Sequence, residues 1–342
     1  MREVQCDVTV IIPTFNRSDA LLKTLNALGE VDYPADRWEV IVVDDASTED
    51  MSAVVRVIEH NAFQTRYIRQ TKNAGPAAAR NLGASESRGA YLIFIDNDIL
   101  AKPDFIRAHV ETLTANPGCW VLGRVVHPPE MRSTPFGRYR DWMWEAFHRA
   151  HGDAGISQTM GISAANLSLP AKHFKTLGGF DEDFTIASSE DWELGTRARQ
   201  NGVRVLYNPE IVVVHNDWAG SLDRFCERQK LYSVSDVLLW QKYGDASPRA
   251  RLVLENAPIN WASDPAPLIL KKGIKWLLAS EAGRSFLKLI CLLTERLVPN
   301  STLNRKAYEA AVAISIFRGV REGLRRYHPP ALSEDTVRFK EA

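Results

Sequence analysis

Asp96-Asn97-Asp98 directly follows the apolar run Tyr91-Leu-Ile-Phe-Ile95, so two carboxylates leave the end of what reads as a buried strand. Side chains of a strand alternate with period two, which puts Asp96 and Asp98 on one side and turns Asn97 away. Two hard oxygen donors at that spacing suit Mg2+ or Mn2+, ions that keep positions open for the oxygens of a diphosphate. The same three residues also read as an acidic surface turn, since short motifs of this kind recur by chance.

Several elements must place these carboxylates. Val8 to Ile12, Val40 to Val43 and Tyr91 to Ile95 are continuous apolar runs rich in β-branched residues, as strands covered on both faces must be. Between them Leu21, Leu22, Leu25 and Leu28 share a helix face that Ser18 is placed to cap, and a second helix opens at Pro76 and runs to Ser87. This is a βαβ pattern, in which ligands bind at the carboxyl ends of the strands. Thr14-Phe-Asn16, Asp44-Asp45 and Asp96 to Asp98 all fall there. From about Ala101 to His151 the chain reads as irregular. Order returns with an expected strand over Gly161–Asn166, a loop over Gly178–Phe184, and a helix from Ser188 closed by Gly202. Two short strands, Val203–Tyr207 and Ile211–His215, follow, and the chain from Leu222 onward reads as helices.

At 342 residues and 38.4 kDa, with 45% apolar and 25% charged residues, the composition is that of a soluble globular protein of one large domain plus an appendage, or of two domains. The start, Met1 to Asp7, is short and polar, so no signal peptide is expected, and no apolar stretch is long enough to span a membrane. Cys6, Cys119, Cys226 and Cys291 lie far apart without metal-site spacing, which points to a reduced, cytoplasmic protein without structural zinc. Net charge is zero but divided: Lys and Arg number 22 against 29 acidic residues over 1–220, and 20 against 13 over 221–342. That break sets the expected boundary between a catalytic domain, 1–220, and a basic, amphipathic helical region, 221–342.

In this order the motifs resemble glycosyltransferase family 2. They are Val10-Ile-Ile-Pro-Thr-Phe-Asn-Arg17, Val40-Ile-Val-Val-Asp-Asp-Ala-Ser47, Asn73-Ala-Gly-Pro-Ala-Ala-Ala-Arg-Asn-Leu-Gly83, Asp96-Asn-Asp98, Gly178-Gly-Phe-Asp-Glu182, Glu190-Asp191 and His215. The resemblance covers residues 8 to about 218 and implies the GT-A fold: a doubly wound, Rossmann-like mixed α/β sheet, here with a C-terminal helical extension. It implies transfer of one sugar, with inversion, from a nucleoside diphosphate sugar, a UDP-sugar first, to a glycan, lipid-linked or small-molecule acceptor. No nucleic-acid partner is expected.

The resemblance also assigns roles. Asp96 and Asp98 take the divalent cation, Mn2+ or Mg2+, and the ribose, with Asp98 the direct ligand. His215 becomes a further ligand, although a His ending an apolar strand otherwise reads as structural; an imidazole nitrogen would favour Mn2+. Asp191 becomes the general base, although Ser188, Ser189, Glu190 and Asp191 are also what a helix N-terminus prefers. Thr14 and Asp44 match positions that hold the ribose and base, with Asp45 orienting its loop. Arg80 and Asn81 lie beside that pocket, where Arg80 stacks on or hydrogen-bonds the base or else faces solvent with its helix. Gly75 and Gly83 read as turn and packing residues. Glu190, Trp192 and Asn166 are candidates for acceptor or sugar contacts, Asn166 alternatively closing a turn. Trp142, Trp144 and Trp218 offer sugar-stacking faces or core. The Gln-x-x-Arg-Trp element of processive synthases is missing from Arg224 to Tyr232, which favours one sugar per encounter.

Leu268 to Val298 interleaves large apolar residues with Lys271, Lys272, Lys275, Arg284 and Lys288, and between Lys271 and Arg326 basic residues outnumber acidic ones twelve to four. Such a stretch either lies on an anionic membrane surface, placing the protein peripherally on its inner face, or packs on the catalytic domain with a solvated basic rim. Other functions fit less well. Pro13-Thr-Phe-Asn16 stands where a dinucleotide-binding oxidoreductase needs a glycine-rich turn. A sugar nucleotidyltransferase wants a glycine-rich basic loop there. A non-catalytic sugar- or membrane-binding protein remains the alternative from another class.

Overall fold

The computed structural model describes residues 6–61, 63–150, 155–186, 188–217 and 220–327, and the chain divides into two units. The first, running to Pro129 and over Met143–Asp217, begins β1 (Val8–Thr14), α1 (Ser18–Gly29), β2 (Trp38–Asp44), α2 (Ser52–His60), β3 (Gln64–Arg69), α3 (Pro76–Ser85) and β4 (Tyr91–Ile95). Then come β5 (Ile99–Leu100), α4 (Phe105–Ala115), β6 (Trp120–Val126), α5 (Pro135–Ala150), β7 (Ser157–Gln158) and β8 (Asn166–Pro170). The unit closes with α6 (Ala171–Thr176), α7 (Glu190–Gln200) and β9 (Val205–His215). The start of α5 falls in the second unit.

Among the described residues the strands form one mixed sheet in the order β3-β2-β1-β4-β8-β6-β9-β5, with β7 also on β9. β3, β2, β1 and β4 are parallel, and β8 runs antiparallel between β4 and β6. Alternation divides the core between the two faces: Val8, Val10, Ile12, Ile93 and Ile95 join one apolar cluster, and Ile11, Leu92 and Phe94 the other. A sheet buried on both sides needs continuous apolar strands, and β1 and β2 are such strands. Gly83 brings α3 against β1, since a Cβ there would stand 2.6 Å from Ile11 Cγ2. Gly75 turns the chain into α3 at φ 90°, a conformation costly for other residues.

Several expectations are corrected. The stretch from Ala101 to His151, read as irregular, holds α4, β6 and the whole of α5, because Phe105, Ile106, His109 and Leu113 form a helix face and Trp120–Val126 is an inner strand. The strand expected over Gly161–Asn166 starts only at Asn166. Val203–Tyr207 and Ile211–His215 are not two strands: β9 runs unbroken through Pro209, and the pairing with β6 shifts between Gly123 and Arg124 to absorb the extra residues. Ser18 does not cap α1; its backbone N–H donates to the Glu49 carboxylate and Arg17 holds the cap position. The edge strand β3 passed unread because its residues are polar and partly exposed.

The second unit takes Glu130–Trp142 and the chain from 218 on. It contains α8 (Leu222–Tyr243), α9 (Ala250–Asn256), α10 (Ala266–Leu278), α11 (Glu281–Leu297) and α12 (Thr302–Tyr327). Val237, Trp240, Ala250, Val253 and Val320 make one part of its core. Phe136 and Tyr139 pack into another, edge-on and tilted against the Tyr308 ring at 5.4 and 5.2 Å. All four cysteines are free thiols.

Asn166 is fully buried: its amide nitrogen donates to the carbonyls of Arg124 (3.2 Å) and Ile211 (3.1 Å), and its amide oxygen lies 2.9 Å from His109 Nε2. The other His109 nitrogen is 2.7 Å from Ser168 Oγ. This network ties β6, β8, β9 and α4 together, so Asn166 packs inside the sheet. Asn166→Ala strands at least two buried partners and is expected to lower unfolding free energy by ~2–4 kcal/mol in urea titration. Burial also pushes the His109 pKa down to about 4. Because the unfolded imidazole titrates near ~6.5, the neutral ring's contribution is complete above that pH. It is lost as pH falls toward about 4. Urea midpoints measured across that range are expected to decline in the wild type and to decline less in His109→Gln.

Candidate active site

The register β1:β2 pairs Thr14 with Asp44, and β4 lies along the other side of β1, so the three strand ends open at one edge. The turn that leaves β1 is fixed by hydrogen bonds to the loop after β2. Asn16 sits at φ 51° and Ala46 at φ 62°, and the Asn16 side-chain oxygen accepts from Thr48 N (2.7 Å) and Glu49 N (3.1 Å). Asp45 accepts from Ala74 N (2.7 Å) and Gly75 N (2.8 Å), fixing the loop that enters α3. Asp44 is fully buried: Oδ1 accepts from Ser47 N (2.8 Å), and Oδ2 from Tyr67 Oη (2.5 Å) and Arg69 Nη1 (3.1 Å). It thereby sets the position of Arg69, which is half exposed at the rim. Burial, then the Asp44 bond, pushes the Tyr67 hydroxyl pKa up.

Asp96, Asn97 and Asp98 form a turn between β4 and β5, with Ile99 N donating to Asp96 O (3.3 Å). Asn97 turns into the protein and donates to Thr14 Oγ1 (2.8 Å), and Thr14 is itself buried. The two carboxylates stay on the other side. The short antiparallel ladder of β5 on β9, in which Ile99 pairs with His215 and Asn216 N donates to Asp98 O (2.8 Å), brings the imidazole to them. One ligand atom from each of Asp96, Asp98 and His215 lies within 4.8 Å of the others.

These residues fit a divalent cation. Asp98 Oδ1 is buried and, though 3.1 Å from His215 Nε2, makes no well-formed hydrogen bond. Two carboxylates and an imidazole converging on one space are a donor set for Mn2+ or Mg2+. Asp98 Oδ2 meets Arg17 Nη1 at 2.9 Å. Burial works to raise the Asp98 pKa, but His215 and Arg17 overcome it, and the net shift is downward. Burial lowers the His215 pKa, but Asp98, Asp96 and Asp217 overcome it, and the net shift is upward. Arg17 and Asp217 were missed in the sequence; the one available signal was that Asp217 stands two residues beyond His215, on the same side of an extended chain.

Arg80 joins this cluster to the second acidic pair. Its guanidinium is buried, with Nη2 2.7 Å from Asp96 Oδ1 and Nη1 2.8 Å from Glu190 Oε1, and it lies over the Phe180 ring at 5.4 Å. It therefore does not face solvent, and two of its nitrogens are engaged by carboxylates. Burial lowers the Arg80 pKa, but Asp96 and Glu190 more than compensate, so it stays charged. Asn81 beside it donates to Phe180 O (2.8 Å) and accepts from Phe180 N (2.8 Å), pinning the loop before α7.

Glu190, Asp191 and Trp192 open α7. Glu190 is buried, and its second oxygen accepts from Ser188 N (2.6 Å). Asp191 accepts from Trp192 N (2.7 Å), and Ser189 at the cap position makes no side-chain cap. Burial, then the Glu190 charge, pushes the Asp191 carboxyl well above the usual carboxylate range, against Arg80 and the backbone N–H groups of Trp192 and Ala164. Trp192 is partly buried. Of the other tryptophans, Trp144 packs against the core and donates to Val125 O (2.6 Å), and Trp142 lies in the second unit under the Arg305 guanidinium, 4.6 Å away. Trp218 lies outside the described residues.

Residues 9–177 match the family model of glycosyl transferase family 2. It is 32% identical over 232 residues, 59% of this chain and 54% of the relative, to validoxylamine A glucosyltransferase of Streptomyces hygroscopicus subsp. jinggangensis (strain 5008). Over 302 residues, 85% of this chain and 57% of the relative, it is 27% identical to pre-mycofactocin glycosyltransferase of Mycobacterium tuberculosis (strain ATCC 25618 / H37Rv). The chain thus spans about half the length of these relatives. A mannosyltransferase from Pyrobaculum calidifontis, solved with GDP-Man and Mn2+, superimposes with a TM-score of 0.61 at 24% identity, covering 91% of this chain and 86% of that one. The fold is of GT-A type, a mixed α/β sheet with a helical C-terminal part.

A lysine has one charged nitrogen and cannot span two carboxylates as the Arg80 fork does. Arg80→Lys is expected to lower unfolding free energy by ~1–3 kcal/mol in urea titration, and Arg80→Met, which leaves the buried Glu190 carboxylate without its cation, by ~3–5 kcal/mol.

Proposed function

We propose that this chain transfers a single sugar from a nucleoside diphosphate sugar to an acceptor hydroxyl with inversion at the anomeric carbon. The observation that carries the reading is the Asp96–Asp98–His215 cluster joined through Arg80 to Glu190-Asp191, on strand and helix ends of a family 2 domain. Asp98, Asp96 and His215 would hold Mn2+ or Mg2+, which supplies charge neutralisation for the departing diphosphate. Thr14 and Asp44 border the ribose and base, with Arg69 placed by Asp44 at the rim, and Asp96 is shared with the ribose.

Asp191 takes the acceptor proton. The acceptor oxygen forms its bond to the anomeric carbon opposite the leaving group, the bond from that carbon to the diphosphate oxygen breaks, and the diphosphate departs with the electron pair. Burial that raises the Asp191 pKa makes it a stronger base than an exposed carboxylate. Arg80 holds Asp96 and Glu190 at fixed positions and acts through them. A UDP-sugar is the first candidate donor. A glycan, a lipid-linked sugar or a small molecule is the acceptor, and the protein works in the cytoplasm. Thermal shifts with Mn2+ and each of UDP, GDP and dTDP identify the base, because bound ligand raises the native population; no shift with any of them counts against the nucleotide reading.

Three outcomes are expected. Asp98→Ala abolishes transfer, measured as nucleoside diphosphate release, and chelator does the same to the wild type; His215→Ala weakens it less, and full activity in chelator without added metal sinks the metal assignment. Asp191→Asn keeps nucleotide binding while turnover falls by about 10² or more; near-normal turnover would move the base elsewhere. Because the Asp191 pKa is raised and only the ionised form accepts a proton, turnover is expected to rise with pH across a limb displaced above the ordinary carboxylate range.

A further inference from the structure

Helices at the surface of a folded unit bury their apolar stripe, and α10 and α11 do not. On α10 Leu270, Ile274 and Leu277 are each at least half exposed, at spacings that share one helix face. On α11 Phe286, Leu289, Leu293 and Leu297 are 55%, 52%, 44% and 72% exposed and recur at helical spacing, while Leu287, Cys291 and Thr294 face inward. Two adjacent helices of one unit thus present apolar stripes to solvent, far more than scattered surface residues explain. Trp276 and Leu277 also line a cavity of about 650 Å3 together with Lys230, Arg318, Arg321 and Arg325. Lys230 and Arg318 pair with Glu322 (2.7 Å) and Glu227 (3.4 Å), whereas among the described residues Arg321 and Arg325 meet no carboxylate.

Charge selects the occupant. A second copy would bring the same basic surplus, 20 basic residues against 13 acidic over 221–342, onto itself. An anionic bilayer complements that charge and takes up aliphatic and aromatic side chains beneath its headgroups. No helix among the described residues is long and apolar enough to cross a membrane. We propose that the second unit docks on an anionic phospholipid bilayer through the exposed stripes of α10 and α11, with Arg321 and Arg325 receiving lipid phosphate. The basic contacts differ from those suggested by sequence. Lys272 is buried 2.7 Å from Asp264, and Lys271 and Lys275 bond to Glu255 (2.8 Å) and Asn256 (2.6 Å), so these lysines hold α10 to its own unit.

The surface lies within the second unit and its binding needs no nucleotide, so this inference and the transferase reading fail separately. Co-sedimentation of the full chain with vesicles of phosphatidylcholine, alone or mixed with phosphatidylglycerol, is the test. Binding to the mixed vesicles is expected to be about tenfold stronger or more, and to weaken with salt. The triple variant Leu277→Ser, Leu289→Ser, Leu293→Ser, all at exposed positions, is expected to lose about tenfold in binding with unchanged circular dichroism. Arg321→Gln with Arg325→Gln removes the preference for anionic lipid. No pelleting with either vesicle, or equal pelleting with both, overturns the proposal. So does a dimer in light scattering that the triple variant dissociates, which would make the face a contact between copies.

Discussion

A guanidinium buried between two carboxylates is the constraint on which the site depends. Arg80 is held by Asp96 on one side and Glu190 on the other, and the elements that carry them, α3, the end of β4 and the start of α7, are far apart in sequence. Burying the Arg80 and Glu190 charges is costly unless each is neutralised and hydrogen-bonded, and the forked geometry of arginine reaches both Glu190 and the partly exposed Asp96 at once. The consequence is a fixed spatial relation between the carboxylate cluster at the strand ends and the acid pair that opens α7. Desolvation and then the Glu190 charge raise the Asp191 pKa, and the Arg80 guanidinium works against that rise.

Around that pair the sheet supplies position and the loops supply strain. β1 and β2 end in register, and each is followed by a residue with positive φ, Asn16 and Ala46, in turns locked by Ser47, Thr48 and Glu49. The two-residue strand β5 is enough to seat Asp98 beside His215, because β9 is anchored along its length to β6 and, through Asn166, to β8. The cluster is therefore built from groups preorganised by packing, which limits the reorganisation needed when charge develops.

Much of this was legible in the sequence, and for a physical reason. Strands covered on both faces must be continuously apolar, so β1, β2 and β4 announced themselves, and the polar residues at their ends gather at one edge of the sheet. What stayed hidden depended on contacts between distant segments. Nothing local says that Asp98 meets His215 across a two-residue ladder or that Arg80 turns inward to bridge Asp96 and Glu190. Pro209 reads as a break, yet β9 passes through it where the facing strand shifts register. Asn166 read as a sugar contact or the closing residue of a turn, but from β8 its side chain bonds to Arg124 on β6, Ile211 on β9 and His109 on α4, which consumes its donors and acceptor. In the second unit the basic character was readable, but Lys272, counted as a surface charge, is committed to Asp264 inside the fold.

Electron paramagnetic resonance of Mn2+ added to the protein with a nucleoside diphosphate tests the central claim most directly, because it reports both the stoichiometry and the donor atoms of a bound ion. The account predicts one bound ion per chain, nitrogen coupling that disappears in His215→Gln while the ion stays bound, and no bound ion in Asp98→Ala. Mn2+ that stays free in the presence of nucleotide, or that binds Asp98→Ala as it binds the wild type, would contradict it.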